Sequence, residues 1–260
     1  MGGNNGWAVV TGASSGIGMA FARELARRGY SVLAVARRRD RLEALARELA
    51  GVGLIEPFVA DLGTESGVAS VVTRAAAIGD LALLVNNAGI ATGGDFLGNP
   101  LDREIGAVRL NVEAIVVLTH QILPGMIRRK RGAVINLASV VAFQPFPHFA
   151  VYAATKAFVL SFTESLAEEV KGKGIRAIAL CPGSVSTEID VFAHNEGLLG
   201  KLPSLTAEQV VNAGLATLEH GGVVKVVGTL NRFLPFMDRV MSRRTIRWLM
   251  GISAKPPRTV

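Results

Sequence analysis

The sequence predicts a doubly wound α/β fold, a parallel sheet covered by helices on both faces, and three observations predict it. Short β-branched runs alternate with amphipathic stretches of helical period along most of the 260 residues. The runs are apolar throughout, as suits strands buried on both sides. A glycine-rich segment joins the first run to the first helical stretch, at the carboxyl end of a strand, where such folds bind ligands. The strand-like runs are WAVVT (7–11), SVLAVA (31–36), LIEPFVA (54–60), LALLV (81–85), AVINLA (133–138), IRAIAL (175–180) and VVKVV (223–227). Helical patterns fall between them at roughly 16–28, 40–50, 65–78, 101–123, 148–171 and 206–220. Strands that run the same way through helical connections imply right-handed crossovers. No Pro/Gly/Ser linker, repeat or low-complexity segment divides the chain, so one domain is expected over 1–230, with a short insert at about 184–205 and a C-terminal extension at 231–260.

Half of the residues are apolar and 19% are charged, the profile of a soluble globular protein. The net charge of +7 is concentrated at one end. Residues 231–260 hold Arg232, Arg239, Arg243, Arg244, Arg247, Lys255 and Arg258 against one acid, Asp238, which leaves the body close to neutral. That distribution argues against a nucleic-acid binder, whose charge would spread over a contact face. Cys181 is the single cysteine and cannot form an intrachain disulfide. The start lacks a charged segment leading into an apolar core, and no stretch reaches about 20 uninterrupted apolar residues, so the expected location is the cytoplasm.

After the first strand comes Thr11-Gly12-Ala13-Ser14-Ser15-Gly16-Ile17-Gly18, and a helix begins at once. Glycines there let the backbone turn tightly and approach a pyrophosphate, which the helix N-terminus would hold. A tight turn needs glycine whatever it binds, so a purely structural turn is the alternative. The G-x-x-x-G-x-G spacing departs from G-x-G-x-x-G, and without Lys-Ser/Thr after it this is not a Walker loop. The second strand ends at Ala36 and is followed by Arg37-Arg38-Arg39. An acid at that point would take a ribose 2′-hydroxyl, whereas arginine suits a 2′-phosphate. Arg37, nearest the strand end, is the first candidate and Arg38 the second; a solvated start to the next helix is the alternative. Asp61, with Leu62 beside it, could border an adenine or serve as a turn or cap residue. Asn86-Asn87-Ala88-Gly89 closes the fourth strand and could border the adenosine or simply form a turn.

Tyr152 and Lys156 are four residues apart in a helical stretch and so share a face. A tyrosine hydroxyl titrates near pH 10, but a neighbouring ammonium favours the phenolate and lowers that value. Such a pair is common on helices for structural reasons alone. Ser139, at the end of the fifth strand, adds a hydroxyl that could orient a substrate carbonyl. It lacks the G-x-S-x-G elbow of a hydrolase, and Cys181 with four scattered histidines makes no metal signature.

Taken in order, T-G-x-x-x-G-I-G (Thr11–Gly18), Asp61, N-N-A-G (Asn86–Gly89), Asn111, Ser139, Y-x-x-x-K (Tyr152, Lys156) and P-G-x-V-x-T (Pro182–Thr187) resemble the short-chain dehydrogenase/reductase superfamily over residues 6–228. The resemblance implies a Rossmann-like sheet of about seven strands. It implies that Tyr152 is the acid/base, that Lys156 lowers its pKa and holds the nicotinamide ribose, that Ser139 positions the carbonyl, and that Asn111 holds a water linking Lys156 to solvent. The cofactor contacts would come from Gly12, Ser14, Ser15, Gly16, Ile17, Gly18, Arg37, Arg38, Asp61, Leu62, Asn87, Ala88 and Gly89. Tyr152 and Lys156 would join Pro182, Gly183, Val185 and Thr187 at the nicotinamide end. NADP-preferring relatives often carry a basic residue where Ser15 stands, so the expectation of NADPH over NADH rests on Arg37 and Arg38. The Tyr-Lys spacing differs from that of bacterial enoyl reductases, and the glycine spacing from that of the extended, sugar-nucleotide-modifying branch.

Between Ser139 and Tyr152 the chain carries Phe143, Phe146 and Phe149 with almost no charge, and the insert is also largely apolar. A hydrophobic ketone or acyl-chain-like substrate is therefore expected, with the insert as a lid; core or interface aromatics are the alternative. In the tail, Phe236, Met237, Val240 and Met241 share a helical sector at about 100° per residue, but Arg244 and Arg247 fall within it. Peripheral membrane contact, a lid or oligomer contact, and a solvated extension all stay open. The expectation is an NADPH-dependent ketoreductase, forming a homodimer or homotetramer by likeness to the family, without metal or nucleic acid. The alternatives are an alcohol dehydrogenase working in the oxidative direction, and a silent dinucleotide sensor.

Overall fold

The computed structural model describes residues 5–188, 204–228, 231 and 233–253. Seven strands form one sheet: β1 (Trp7–Thr11), β2 (Ser31–Ala36), β3 (Ile55–Val59), β4 (Leu81–Asn86), β5 (Gly132–Leu137), β6 (Ile175–Pro182) and β7 (Val224–Val227). Every pairing is parallel and the order is β3-β2-β1-β4-β5-β6-β7, so the chain reverses its direction of progress between β1 and β4. That junction is the switch point where the ends of strands diverge and leave a crevice. All seven expected strands are present, in a Rossmann-like, single-domain arrangement.

Alternation along each strand sends side chains to two separate cores. On one face Ala8, Val10, Val32 and Ala34 meet Phe21, Leu25, Leu42, Leu45, Val210 and Leu215 from α1 (Gly16–Arg27), α2 (Arg39–Glu48) and α7 (Ala207–His220). On the other, Val9, Leu33, Val35 and Leu84 meet Val71, Leu118, Met126 and Leu166 from α3 (Glu65–Ala76), α5 (Ala114–Arg129) and α6 (Ala150–Glu169). Phe21, Leu25 and Leu42 are fully buried, each worth roughly 2 kcal/mol in the transfer from water. Local signals set the ends of α7: Thr206 and Gln209 form a reciprocal capping box, and Gly221 closes the helix in the left-handed region at φ +78°.

The fourth expected helix differs from a regular one in two ways. It comprises α4 (Leu101–Val108), a π turn over Arg109–Glu113, and α5. It also continues past its expected end at 123 through Pro124, because Met126 beyond the proline is fully buried and that burial offsets the lost backbone bond. The run Leu101–Arg129 is long and apolar enough to cross a membrane by length and composition once a few charges are allowed. In this fold Ala114, Leu118, Ile122 and Met126 of that run face the sheet.

The expected insert is closed at its base, where Val185 and Leu205 form a parallel bridge and Ser184 and Ser186 donate hydroxyl bonds to Ser204. Its middle, 189–203, lies outside the described residues. After β7 come α8 (Phe233–Val240) and α9 (Arg243–Ser253). Ile246 and Met250 of α9 are buried in a cluster with Val140, Val141, Phe146, Phe149 and Tyr152.

Candidate active site

The turn after β1 is built by contacts that leave no room for side chains. The Thr11 hydroxyl donates to the Val85 carbonyl at 3.2 Å and accepts the amides of Asn87 and Ala88 at 2.9 Å each, while Asn87 Nδ2 donates to the Thr11 carbonyl at 2.8 Å. These bonds stitch the ends of β1 and β4 together at the switch point. Gly12 sits at φ +69°, and a Cβ on Gly18 would lie 2.3 Å from the Gly12 carbonyl oxygen, a backbone clash nothing could relieve. The start of α1 is thereby aimed into the crevice, its free amides forming an anion-binding end.

Arg38, rather than Arg37, reaches back over this turn. Its Nε and Nη2 donate to Ser14 Oγ at 3.1 and 3.0 Å, Nη2 also donates to Ser15 Oγ at 2.7 Å, and Nη1 meets the Glu188 carboxylate at 2.8 Å. Arg37 borders the cleft but is exposed. Asp61 accepts the Gly63 amide at 2.9 Å through one oxygen, and the cap of α3 is Thr64 instead. Leu62 is buried beside it.

At the other end, α6 carries Tyr152 and Lys156 one turn apart, both buried, with Nζ 5.8 Å from the centre of the Tyr152 ring. Nζ donates to the Leu137 carbonyl at 2.7 Å, which fixes the ammonium at the end of β5. Burial pushes the Lys156 pKa down to about 8, with Cys181 opposing that shift, and burial pushes the Cys181 thiol up to about 12. Ser139 follows β5 and accepts the Val141 amide at 3.3 Å.

Asn111 lies in the π turn, fully buried. Its side-chain oxygen accepts the Ile90 amide at 3.0 Å, and its nitrogen donates to the Ile90 carbonyl at 2.9 Å and to Thr155 Oγ1 at 3.1 Å. Thr155 in turn donates to the Tyr152 carbonyl at 2.7 Å. A Cβ on Gly89 would stand 3.0 Å from Asn111 Oδ1 and 3.7 Å from Lys156 Nζ, so the three converge. The amide of Asn111 is thus bonded to the loop after β4 and to Thr155 of α6, whose hydroxyl bonds the backbone of Tyr152.

One cleft of about 430 Å³ joins both ends. Gly12, Ser14, Ser15, Gly16, Ile17, Arg37, Arg38, Asp61, Leu62, Asn87, Ala88 and Gly89 line it together with Ser139, Tyr152, Lys156, Pro182, Gly183, Val185 and Thr187. Gly18 and Asn111 are not among its lining residues; Gly18 packs against Gly12 and Asn87, and Asn111 bonds Ile90, all of which are. A glycine-walled turn at a helix N-terminus, an arginine at the far end and a buried Tyr-Lys pair opposite form a donor set suited to a phosphorylated dinucleotide. Sequence reasoning missed Glu188 and Arg41, which pair across the cleft mouth, and Thr155, which links Asn111 to α6. Glu188 directly follows the P-G-x-V-x-T motif, but nothing in that motif tells where its carboxylate points.

The family model for short chain dehydrogenases matches residues 6–196. A short chain dehydrogenase of Pseudocercospora fijiensis is 42% identical over 70% of this chain, and the match covers 60% of its own length. A very-long-chain 3-oxoacyl-CoA reductase of Anas platyrhynchos is 35% identical over 82% of this chain and 68% of that protein. Among solved structures, a short-chain dehydrogenase from Sphingobium yanoikuyae in complex with NADPH aligns with a TM-score of 0.80 at 30% identity, covering 95% of each chain.

Proposed function

Because the chain belongs to the short-chain dehydrogenase family, we propose that it is an NADPH-dependent reductase that converts a hydrophobic ketone or acyl-chain-like carbonyl to a secondary alcohol. The observation that carries this reading is the single cleft shared by the glycine-rich turn, Arg38, Ser139, Tyr152 and Lys156. NADPH supplies the hydride when bound. The amides at the start of α1 take the pyrophosphate, and Arg38 with Arg37 takes the 2′-phosphate. Asp61, Leu62 and Asn87–Gly89 border the adenosine, while Pro182, Gly183, Val185 and Thr187 border the nicotinamide.

Ser139 donates its hydroxyl to the substrate carbonyl oxygen and holds it toward Tyr152. The Tyr152 hydroxyl delivers its proton to that same oxygen. The Lys156 ammonium stabilises the phenolate left behind, an effect strengthened by the burial of both groups. Asn111 is a positioning residue that fixes the start of α6 through Thr155. Val140, Val141, Phe146, Phe149, Ile246 and Met250 pack around Tyr152 as buried core rather than as lining of the cleft, and this apolar surrounding of the acid/base is what supports a hydrophobic substrate. The test is a panel of carbonyl compounds followed by loss of reduced-nicotinamide absorbance, with NADPH and NADH in parallel. Turnover of bulky apolar ketones with NADPH is expected, and turnover confined to small, highly charged carbonyls overturns the substrate class.

For location we propose the cytoplasm, with the chain as a homo-oligomer. Exposed Ile105 and Val108 on α4, and Phe158 on α6 stacked on Phe162 at 5.8 Å, offer apolar surface that a second copy would cover. Sedimentation of a monomer at micromolar concentration would overturn that. The exposed Trp248 and Ile252 beside Arg243, Arg244 and Arg247 support peripheral contact with anionic lipid. Vesicle co-sedimentation that is unchanged by removing 231–260 would dispose of it.

A further inference from the structure

We infer that the Glu188 carboxylate competes with the 2′-phosphate of NADP for the Arg38 guanidinium, and so sets both the affinity for the cofactor and the choice between NADPH and NADH. The inference rests on the cofactor reading above. Glu188 and Arg38 come from opposite sides of the cleft, one following β6 and the other following β2, and both line it. Thr187, the residue before Glu188, overlies the glycine-rich turn, with its methyl group 3.0 Å from where a Cβ on Gly16 would be. The carboxylate therefore reaches the arginine from beside the turn that would seat the pyrophosphate.

Every nitrogen of the Arg38 guanidinium is engaged. Two donate to the hydroxyls of Ser14 and Ser15, and the third meets Glu188 at 2.8 Å. These four bonds leave over one N–H, on Nη1, but a phosphate that takes two of the arginine's five N–H groups as a fork must displace a partner. The serine hydroxyls are neutral and can turn to donate to the phosphate themselves. Glu188 cannot, because it carries the same sign of charge and accepts only. It is the partner that must leave.

A second arginine makes the exchange possible. Arg41, one turn along α2, pairs with the other oxygen of Glu188. When phosphate takes Arg38, the carboxylate retains Arg41. Arg41 and then Arg38 hold the Glu188 pKa down to about 2, so the carboxylate stays charged at any working pH. The competition is one of charge and geometry rather than protonation. Both partners are roughly half exposed, so solvent screens the pair and the effect is moderate. NADH bears no 2′-phosphate and gives Glu188 nothing to compete against.

The test is calorimetric titration of the full chain with NADPH and with NADH, for the wild type, Glu188→Gln and Arg41→Gln. Glu188→Gln is expected to bind NADPH about fivefold more tightly with NADH affinity unchanged. Arg41→Gln leaves Glu188 only Arg38 to pair with, and is expected to weaken NADPH binding. No gain in NADPH affinity in Glu188→Gln overturns the inference. So does weaker NADH binding in that variant, which would make Glu188 a ligand of the ribose 2′-hydroxyl. If wild type and Glu188→Gln both bind NADPH no more tightly than NADH, the cofactor reading fails and takes this inference with it. An NADPH-preferring wild type whose Glu188→Gln variant gains nothing removes the inference alone.

Discussion

The two ends of the cleft are built on opposite principles. The end we propose for the adenosine relies on long, half-exposed side chains: Arg38 and Arg41 meet Glu188 through charge on the surface. The catalytic end relies on buried groups, where Lys156, Tyr152, Asn111 and Thr155 are held by short bonds to backbone and to one another. Exposed ion pairs contribute about 1 kcal/mol or less. A buried ammonium instead suffers a large desolvation cost and keeps its charge only where its surroundings hold it. The contrast teaches that cofactor choice can drift by small steps, whereas the proton-transfer end tolerates almost no change.

The largest effect is expected at Lys156. Lys156→Met should lower turnover by about 10³-fold or more, since both the proposed ribose contact and the proposed support for the phenolate disappear. The same residue makes a pH signature. Its pKa in the folded chain is about 8 against an ordinary 10.5, so between those values the unfolded chain holds a proton that the folded chain has released. Stability should therefore rise with pH across that window by ~3 kcal/mol relative to Lys156→Met, with the full penalty present below pH 8. Reductase activity should fall as pH passes about 8, where the ammonium is lost. Denaturant titrations and rate profiles over pH 6–11 check both, and a flat difference between wild type and variant would erase the contrast between the ends.

Next comes the backbone that joins them. Gly18→Ala places a methyl group 2.3 Å from the Gly12 carbonyl and should cost about 3 kcal/mol of stability along with measurable dinucleotide binding. Thermal melts and calorimetry read the two losses together.

A smaller effect is expected at the exposed end. Arg38→Ala should weaken NADPH about tenfold while leaving NADH nearly unchanged. Equal weakening of both cofactors would mean that Arg38 holds the turn through Ser14 and Ser15 rather than the phosphate. Smallest of all, Arg23→Gln breaks an exposed, doubly bonded pair with Glu48 and should cost below ~1 kcal/mol by denaturant titration.

The same contrast governs what could be read from sequence. The strands were legible because a strand buried on both faces must be apolar throughout, and the turn because close backbone approach demands glycine at positions such as 12 and 18. Tyr152 and Lys156 were legible because four-residue spacing puts two side chains on one helix face. The π turn at Arg109–Glu113 left no trace, since one wider backbone turn alters no residue type. Nor could sequence rank Arg38 over Arg37 or find Glu188, because their pairing crosses 150 residues of chain and depends on side-chain torsions. The tail's imperfect apolar stripe left three readings open, because sequence alone does not say which of its apolar residues pack. Among the described residues α9 buries Ile246 and Met250, two residues four apart, and leaves Arg244, Arg247 and Trp248 in solvent.

The central claim is that the Tyr152 hydroxyl delivers the proton while the rest of the cleft binds and orients. Tyr152→Phe removes one oxygen atom and leaves the ring in its apolar cluster. Ketone reduction and NADPH affinity measured on the same preparation should diverge, with turnover falling by about 10³-fold or more and affinity unchanged. Turnover that survives the substitution would contradict the claim, whatever the cofactor does.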